Sequence, residues 1–145
     1  MKFSPGYLLR PAIAAVFSLC VAATADAADV KVIVNSGSSI SAISADDLKS
    51  IFLLTKKSFV DGTRAEPILS KGGAAHEAFL KHHLGKSDDS LVTYYRNVVF
   101  TGKGLTPRSF GTDAEISAYV AKTRGAIGYV LGETNTPGVK MIDVK

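Results

Sequence analysis

The stretch Thr123-Arg124-Gly125-Ala126-Ile127-Gly128-Tyr129-Val130 decides the fold class of this chain of 145 residues. It follows an amphipathic helical pattern at residues 113–122, and its apolar second half predicts a buried strand at 126–131. Gly125 lies where a helix commonly ends in a left-handed residue, a conformation that glycine adopts at little cost. Gly128, inside the strand, leaves room for another backbone or a ligand to come close. By itself, the pattern indicates a helix-to-strand connection of an ordinary α/β domain.

Strands and helices alternate outward from this stretch. Further strands are predicted at 30–35 and 139–144, and a further helix at 74–84, closed by Gly85. The residues that precede an acidic first turn and an apolar face, as helix N-caps do, are Ser44, Ser87 and Thr112. This alternation predicts a single α/β domain in which helices flank a mixed sheet, in two or three layers.

The sequence also predicts a hairpin and a single hydrophobic core. Residues 57–60 and 65–69 flank Asp61-Gly62, a dipeptide typical of hairpin turns. Pro67 lacks a backbone N–H group, so the second of these strands is predicted at an edge of the sheet. Residues 102–111 are predicted to form a loop. The apolar faces of the predicted elements place in one core Phe52, Phe79, Tyr95, Val98, Ile127 and Val130.

The first 27 residues have the pattern of a secretory signal peptide. Lys2 and Arg10 supply positive charge, and residues 12–23 are apolar but too few to span a bilayer. Ala25-Asp26-Ala27 is a small-x-small cleavage site, so we expect cleavage after Ala27, or else after Ala25. The alternative is an uncleaved anchor or a core helix. Cleavage would leave a periplasmic domain at 28–145 without the single cysteine, Cys20, and therefore without disulfides or zinc–thiolate sites.

Composition limits the classes of partner. The chain carries 17 basic and 13 acidic residues, a mild excess that is consistent with an anionic ligand. The basic residues are scattered and form no stripe with interleaved aromatics, so we expect no nucleic-acid partner. No second apolar segment is long enough for a membrane helix, and the cleaved domain is not expected to be embedded in a membrane.

Three stretches, in this order along the chain, resemble segments of type 2 periplasmic binding proteins of the phosphate-binding kind. Residues 30–35 with Ser36-Gly37-Ser38-Ser39 are similar to their first strand and ligand loop. Residues 47–62 resemble the block L-x-x-I-F-x-G … W-x-D-G, with Leu54 and Phe59 in place of the glycine and the tryptophan. Arg-Gly-Ala-Ile-Gly-Tyr-Val at 124–130 is similar to Pro-Gly-Ala-Ile-Gly-Tyr-Val. The resemblance implies the fold of this family with a reduced second lobe, because two-lobed members are roughly twice as long.

The resemblance also implies a ligand loop. In the family the loop after the first strand donates hydrogen bonds to an oxyanion, which assigns ligand-binding roles to Ser36, Gly37, Ser38 and Ser39. The residue pattern supports the same chemistry, since glycine lets a backbone approach an anion and hydroxyls donate to it. A serine-rich turn exposed to solvent is the alternative.

Two further segments supply weaker ligand candidates. Residues 70–79 resemble the family's helix start G-S-G-T-x-x-x-F, which implies Gly73 and Ala74, although Gly72 and Ala74 lack the two hydroxyls. Residues 100–108 resemble a stretch F-T-G-x-G-x-x-P-x of short members. There Arg108 could clamp a phosphate oxygen bidentately, with Lys103 as a point charge. A solvated basic loop is the alternative.

No motif predicts an enzyme, a cofactor or a metal site. His76-Glu77 begins a zincin-like motif, but Leu80 occupies the second histidine position, so His76, His82 and His83 are predicted at the surface. The sequence contains no G-x-S-x-G elbow, P-loop or dinucleotide fingerprint. We therefore expect a non-enzymatic periplasmic binding protein for phosphate or a similar oxyanion that serves a membrane transporter or sensor. The alternative is a periplasmic interaction or sensory module with a degenerate ligand site.

Overall fold

A computed structural model describes residues 30–132 and 137–145 of the chain. The predicted signal peptide at 1–27 lies outside the described residues. The strands are β1 (Val30–Asn35), β2 (Ala42–Ile43), β3 (Glu66–Ser70), β4 (Arg108–Phe110), β5 (Ala126–Leu131) and β6 (Val139–Val144). The helices are α1 (Ala45–Phe52), α2 (Ala74–Phe79), which continues into a π-helical turn (Leu80–Leu84), α3 (Asp88–Phe100) and α4 (Asp113–Lys122). Among these described helices, none has both the length and the apolar character needed to cross a membrane.

The six strands form one mixed sheet in the order β2-β6-β1-β5-β3-β4. β1 pairs antiparallel with both β5 and β6, whereas β3 pairs parallel with β5 and with β4. The short strand β2 pairs parallel with β6. All strands of the described residues belong to this sheet, so that part of the chain forms a single α/β domain, as predicted.

The helix caps follow the local sequence. The hydroxyls of Ser44, Ser87 and Thr112 accept hydrogen bonds from backbone N–H groups three residues ahead, at the starts of α1, α3 and α4. Gly85 ends the π-helical turn in the left-handed region with φ 62°, and Gly125 takes φ 93° before β5. These predicted helix boundaries are confirmed because each depends on residues that are near one another in the sequence.

The core lies on both faces of the sheet rather than on one. Helices α1, α2 and α3 cover one face, where Phe52, Phe79, Tyr95 and Ile127 are buried together. Helix α4 covers the other face, where Val130 is buried. Val130 and Ile127 point to opposite faces because side chains alternate along a strand. The predicted residues are all buried, but the prediction of one shared core was wrong, and the domain has three layers.

The hairpin prediction was also wrong in part, because the second predicted strand does not pair with the first. Ser58 and Arg64 form an isolated antiparallel bridge around Asp61-Gly62, but β3 pairs with β5 and β4 instead of with residues 57–60. Pro67 therefore lies in an interior strand. Pairing with β4 begins one residue later, at Ile68. The edge strand beside β3 is β4, a three-residue strand within the segment predicted as a loop.

Gly128 serves helix packing. A Cβ atom at Gly128 would lie 2.8 Å from Cγ2 of Ile116 and 3.6 Å from Cγ2 of Val120, both on α4. The missing side chain therefore lets α4 approach the sheet closely. The atoms that come closest to Gly128 are side-chain atoms of α4 rather than the predicted backbone.

Candidate functional site

In the serine-rich loop after β1, most backbone N–H groups donate hydrogen bonds to acceptors within the protein. The N–H group of Ser36 donates to the carbonyl of Gly138 at 2.9 Å. The N–H of Ser38 donates to the carbonyl of Asn35 at 2.9 Å, and that of Gly37 donates to Oδ1 of Asn35 at 2.8 Å. In this arrangement these amides are not available to an anion.

A carboxylate lies beside the same loop. The hydroxyl of Ser39 donates to Oδ2 of Asp61, and the N–H of Thr63 donates to Oδ1 of Asp61 at 2.9 Å. The hydrogen bond from Ser39 lowers the pKa of the Asp61 carboxyl, so Asp61 is ionised at neutral pH. Its negative charge opposes the approach of an anion to the serine loop. Nothing in the family motif D-G signalled this contact, which requires two segments distant in the sequence to meet.

The turn between β3 and α2 differs from the serine-rich loop in its backbone N–H groups. Within the part of the chain that the structure describes, the N–H groups of Gly73, Ala74 and Ala75 have no hydrogen-bond acceptor. Gly73 takes φ 94° at the N-cap of α2 and offers no side-chain cap, unlike the serines and threonine that cap the other helices. The hydroxyl of Ser70 donates to the carbonyl of Gly72 at 2.8 Å and fixes the turn. We call residues 70–75 the glycine turn.

A buried polar network supports the glycine turn from below. Oη of Tyr129 accepts the N–H of Ser70 at 2.9 Å and donates to Nδ1 of His76 at 2.5 Å. The Asp88 carboxylate can only accept, so Nε2 of His76 carries a proton and donates to Oδ1 of Asp88 at 2.8 Å. In the neutral ring, Nδ1 is then the acceptor for the Tyr129 phenol. Burial raises the pKa of Tyr129, which keeps the phenol protonated and able to donate. The network ties β3, α2, α3 and β5 together beneath the turn.

His76 corrects one prediction. The sequence placed it at the surface, but its side chain is 4% exposed, and its ring stacks with that of Tyr129 at 6.0 Å between centroids. No local signal indicates this burial, since Tyr129 is 53 residues away in the sequence. His76 is therefore a structural member of the site.

The two loops lie at opposite ends of the sheet. Register places Val34 beside Ile127, and Ile127 beside Pro67, so the serine loop lies near the start of β3. The glycine turn follows the end of β3, about four to five residues further along. At roughly 3.3 Å per residue, this separates the loops by about 16 Å along the strands. The predicted candidates Ser36, Gly37, Ser38 and Ser39 therefore cannot share one small anion with Gly73 and Ala74.

Arg108 belongs neither to the serine-rich loop nor to the glycine turn. It begins β4 beside Ile68, and its Nε is 3.5 Å from Oε1 of Glu66. Its guanidinium lies over the ring of Tyr119, 5.7 Å from the centroid. The hydrogen bond from Tyr119 to Glu66 raises the pKa of the Tyr119 phenol, which remains a donor. Arg108 thus faces the end of the sheet where β3 begins.

A cavity of about 590 Å³ opens beside the glycine turn. Its polar lining includes Ser70, Lys71 and His76, and also the carboxylate of Asp88 and the guanidinium of Arg96. Helix α3 contributes Val92 and Phe100, of which Phe100 is 91% exposed. The cavity therefore combines polar residues next to the glycine turn with an apolar wall from α3.

The hydrogen-bond network beneath the glycine turn predicts that removing the Tyr129 hydroxyl lowers the free energy of unfolding. In Tyr129→Phe the buried N–H of Ser70 and Nδ1 of His76 lose their partner, so we expect a loss of about 2 kcal/mol of unfolding free energy. Chemical denaturation measures it. Tyr95→Phe is the control, because its buried hydroxyl makes a single bond, to the carbonyl of Phe52, and a smaller loss of about 1 kcal/mol follows. Equal losses in the two variants would contradict the network.

The chain has a fold similar to that of solved substrate-binding proteins of phosphate transporters. A phosphate ABC transporter substrate-binding protein from Clostridium perfringens, solved with bound phosphate, matches with a TM-score of 0.64 at 13% identity, over 80% of this chain and 44% of its own. An ABC-type phosphate transport receptor from Vibrio cholerae matches with a TM-score of 0.54 at 12% identity, over 80% of this chain and 46% of its own. A possible phosphate-binding protein from Planctomyces limnophilus matches with a TM-score of 0.54 at 12% identity, over 81% and 41%.

The match covers one part of these solved proteins. The chain spans less than half the length of each, and at such low identity the likeness establishes the fold alone. Neither a protein-family model nor a curated protein sequence matches the chain.

Proposed function

We propose that this protein is an exported, non-enzymatic binding protein that holds phosphate or a similar oxyanion at the glycine turn and serves a membrane transporter or sensor. The observation that carries the proposal is the set of unpartnered N–H groups at Gly73, Ala74 and Ala75 within the described residues. Backbone donors at the start of a helix attract anions because they carry partial positive charge. The three solved neighbours, whose own names refer to phosphate, support the choice of an oxyanion.

The network beneath the turn fits this role. Tyr129 holds the N–H of Ser70 in place, and the cavity beside the turn provides an approach lined by Lys71. Lys71 adds a positive charge there, whereas the Ser70 hydroxyl already donates to the carbonyl of Gly72. Donors held in fixed positions bind an anion without a further ordering cost. Two family hydroxyls are missing at Gly72 and Ala74, so we propose an affinity that is micromolar or weaker.

The test is titration calorimetry of residues 28–145 with phosphate, sulfate and molybdate. Ala74→Asp places a carboxylate among the donors, and we expect the affinity for the anion to fall at least tenfold through charge repulsion. The same carboxylate at a helix start stabilises the helix by roughly 0.3–1 kcal/mol, so the variant stays folded. Ala74→Asn is the control of matched size without charge, and its affinity should remain within about threefold of wild type.

Ser38→Ala decides between the two loops. If the glycine turn binds the anion, this change leaves the affinity unchanged. A loss of about tenfold or more, with Ala74→Asp unaffected, would instead locate the ligand at Ser36, Gly37, Ser38 and Ser39. The proposal for the glycine turn would then be wrong, although oxyanion binding itself would stand.

A contact with a partner protein is the second candidate function. Apolar side chains of α3 stand exposed beside the glycine turn: Val92 is 49%, Val99 43% and Phe100 91% exposed. Exposed apolar groups that cluster at one place favour a protein-binding surface. If none of the three oxyanions binds at millimolar concentration, the interaction module with a degenerate ligand site replaces the binding protein.

A further inference from the structure

Basic side chains that are scattered along the sequence converge at one end of the sheet. β3, β4 and β5 are parallel, so their amino ends meet there. Arg108 begins β4, and Arg64 and Arg124 lie two residues before β3 and β5. The loop after α1 and the loop before β4 complete a concave surface. We call this surface the basic cleft; its cations are Lys56, Lys57, Arg64, Lys103, Arg108 and Arg124.

The charge of the basic cleft is far from balanced. Six basic side chains line it and a single acidic one, Glu66, whereas the whole chain has 17 basic and 13 acidic residues. Glu66 is already engaged, because it accepts a hydrogen bond from Tyr119 at 2.7 Å and lies 3.5 Å from Nε of Arg108. Gathering like charges costs folding stability through mutual repulsion. An excess of this kind therefore favours binding of an anionic ligand.

Four of the six cations have no acidic partner among the described residues. Lys56 pairs with Asp47 at 2.7 Å, and Arg108 with Glu66. The cations without an ion pair in residues 30–132 and 137–145 are Lys57, Arg64, Lys103 and Arg124. They are exposed and therefore able to reach a ligand. This number exceeds what one phosphate ion, with at most two charges near neutral pH, would neutralise.

The volume of the basic cleft and the side chains that line it indicate which class of ligand it can bind. The cleft has a volume of about 500 Å³, within the range of small-molecule sites and small for a nucleic-acid segment. No aromatic side chain lines it in the described part of the chain, so bases would find no stacking surface. Guanidinium groups at three positions favour the planar, two-oxygen geometry that phosphate groups offer.

From these observations we infer that the basic cleft binds a small polyanion that carries several phosphate groups, at a site separate from the glycine turn. The glycine turn lies at the other end of β3, so the two sites act independently. The oxyanion of the proposed function and the polyanion of the cleft are therefore different ligands, and each site can fail without the other.

The probe is inorganic tripolyphosphate, titrated into residues 28–145 at about 0.15 M salt; this segment contains all described strands and both faces of the core. We expect tripolyphosphate to bind at least tenfold more tightly than orthophosphate, with an affinity that falls steeply as salt is raised. In the double variant Arg64→Gln, Arg124→Gln the affinity should fall at least tenfold. Both side chains are exposed, and a thermal midpoint that does not fall verifies that the variant is folded.

Matched controls separate the cleft from net charge. Lys49→Gln with Lys81→Gln also removes two exposed positive charges, both outside the cleft, and should leave the affinity for tripolyphosphate within about twofold of wild type. Ala74→Asp, which acts at the glycine turn, should leave it unchanged. Equal losses in the two double variants, or no preference for tripolyphosphate over orthophosphate, would overturn the inference. Equal binding of citrate, or binding only of an acidic peptide, would overturn the assignment to a phosphate-bearing ligand.

Discussion

Replacing Gly125 with alanine should lower the unfolding free energy by about 2–6 kcal/mol, a large share of what a domain of this size possesses. Two effects add. Gly125 has φ 93°, which costs an L-residue with a side chain conformational energy. A Cβ atom there would also lie 2.2 Å from the carbonyl oxygen of Arg64. Because that neighbour is backbone two residues before β3, it cannot move aside without disturbing the pairing of β3 with β5.

Gly62→Ala isolates the first effect. Gly62 has φ 85°, but a Cβ atom there would meet nothing within 4 Å. We expect this control to lose only about 1–2 kcal/mol, the cost of the left-handed backbone. Chemical denaturation of both variants measures the difference. If Gly125→Ala lost no more than Gly62→Ala, the close contact with Arg64 would not exist in solution.

Ile127→Ala should cost about 2–5 kcal/mol, because it removes buried methyl groups and leaves a cavity. Ile127 is fully buried on the face of the sheet that α1 and α2 cover. It lies in β5, the strand that joins the antiparallel β1 to the parallel β3. The surrounding strands hold the cavity open, since each is fixed by hydrogen bonds on both sides. The midpoint of urea denaturation should fall accordingly.

Met141→Ala is the control for this loss. Met141 lies in β6 and is 53% exposed, so truncating it should change the unfolding free energy by no more than about 0.5 kcal/mol. A loss at Ile127 as small as that at Met141 would contradict the burial of Ile127. A larger m-value in either variant would indicate a change in the denatured state instead.

The single sheet of the described residues bears on the proposed affinity. The solved neighbours are more than twice as long as the matched region, and the described residues form a single sheet. An anion at the glycine turn would keep one side open to solvent, where competing water weakens each hydrogen bond. Weak binding by the isolated chain is therefore the expected outcome, and a partner that covers the turn would strengthen it.

The sequence by itself determined the local structure. Ser44, Ser87 and Thr112 could be recognised as caps because a cap hydroxyl reaches an N–H only three residues ahead. The left-handed Gly125 was predictable for the same reason, since the end of a helix is defined by its nearest neighbours. The strands at 126–131 and 139–144 were predictable from apolar runs, and with them the α/β class.

Strand pairing was decided only by the tertiary structure. The hairpin signal at Asp61-Gly62 was real, yet β3 pairs with β5 and β4, because burial between two strands outweighs a local turn preference. The short strand β4 has too few residues for a pattern and exists because β3 offers it a free edge. Likewise His76 is buried because Tyr129 and Asp88 meet it from other elements.

The sequence likewise could not predict where in the fold the candidate sites lie. Serines at 36–39 and glycines at 72–73 each have the residue types that bind anions, but β1 and β3 run in opposite directions through β5 and carry their loops to opposite ends of the sheet. The same strand directions gather Arg64, Arg108 and Arg124 into one cleft. Residue types fix which chemistry is possible, whereas long-range hydrogen bonds between strands fix which residues meet, and the sequence does not record strand direction.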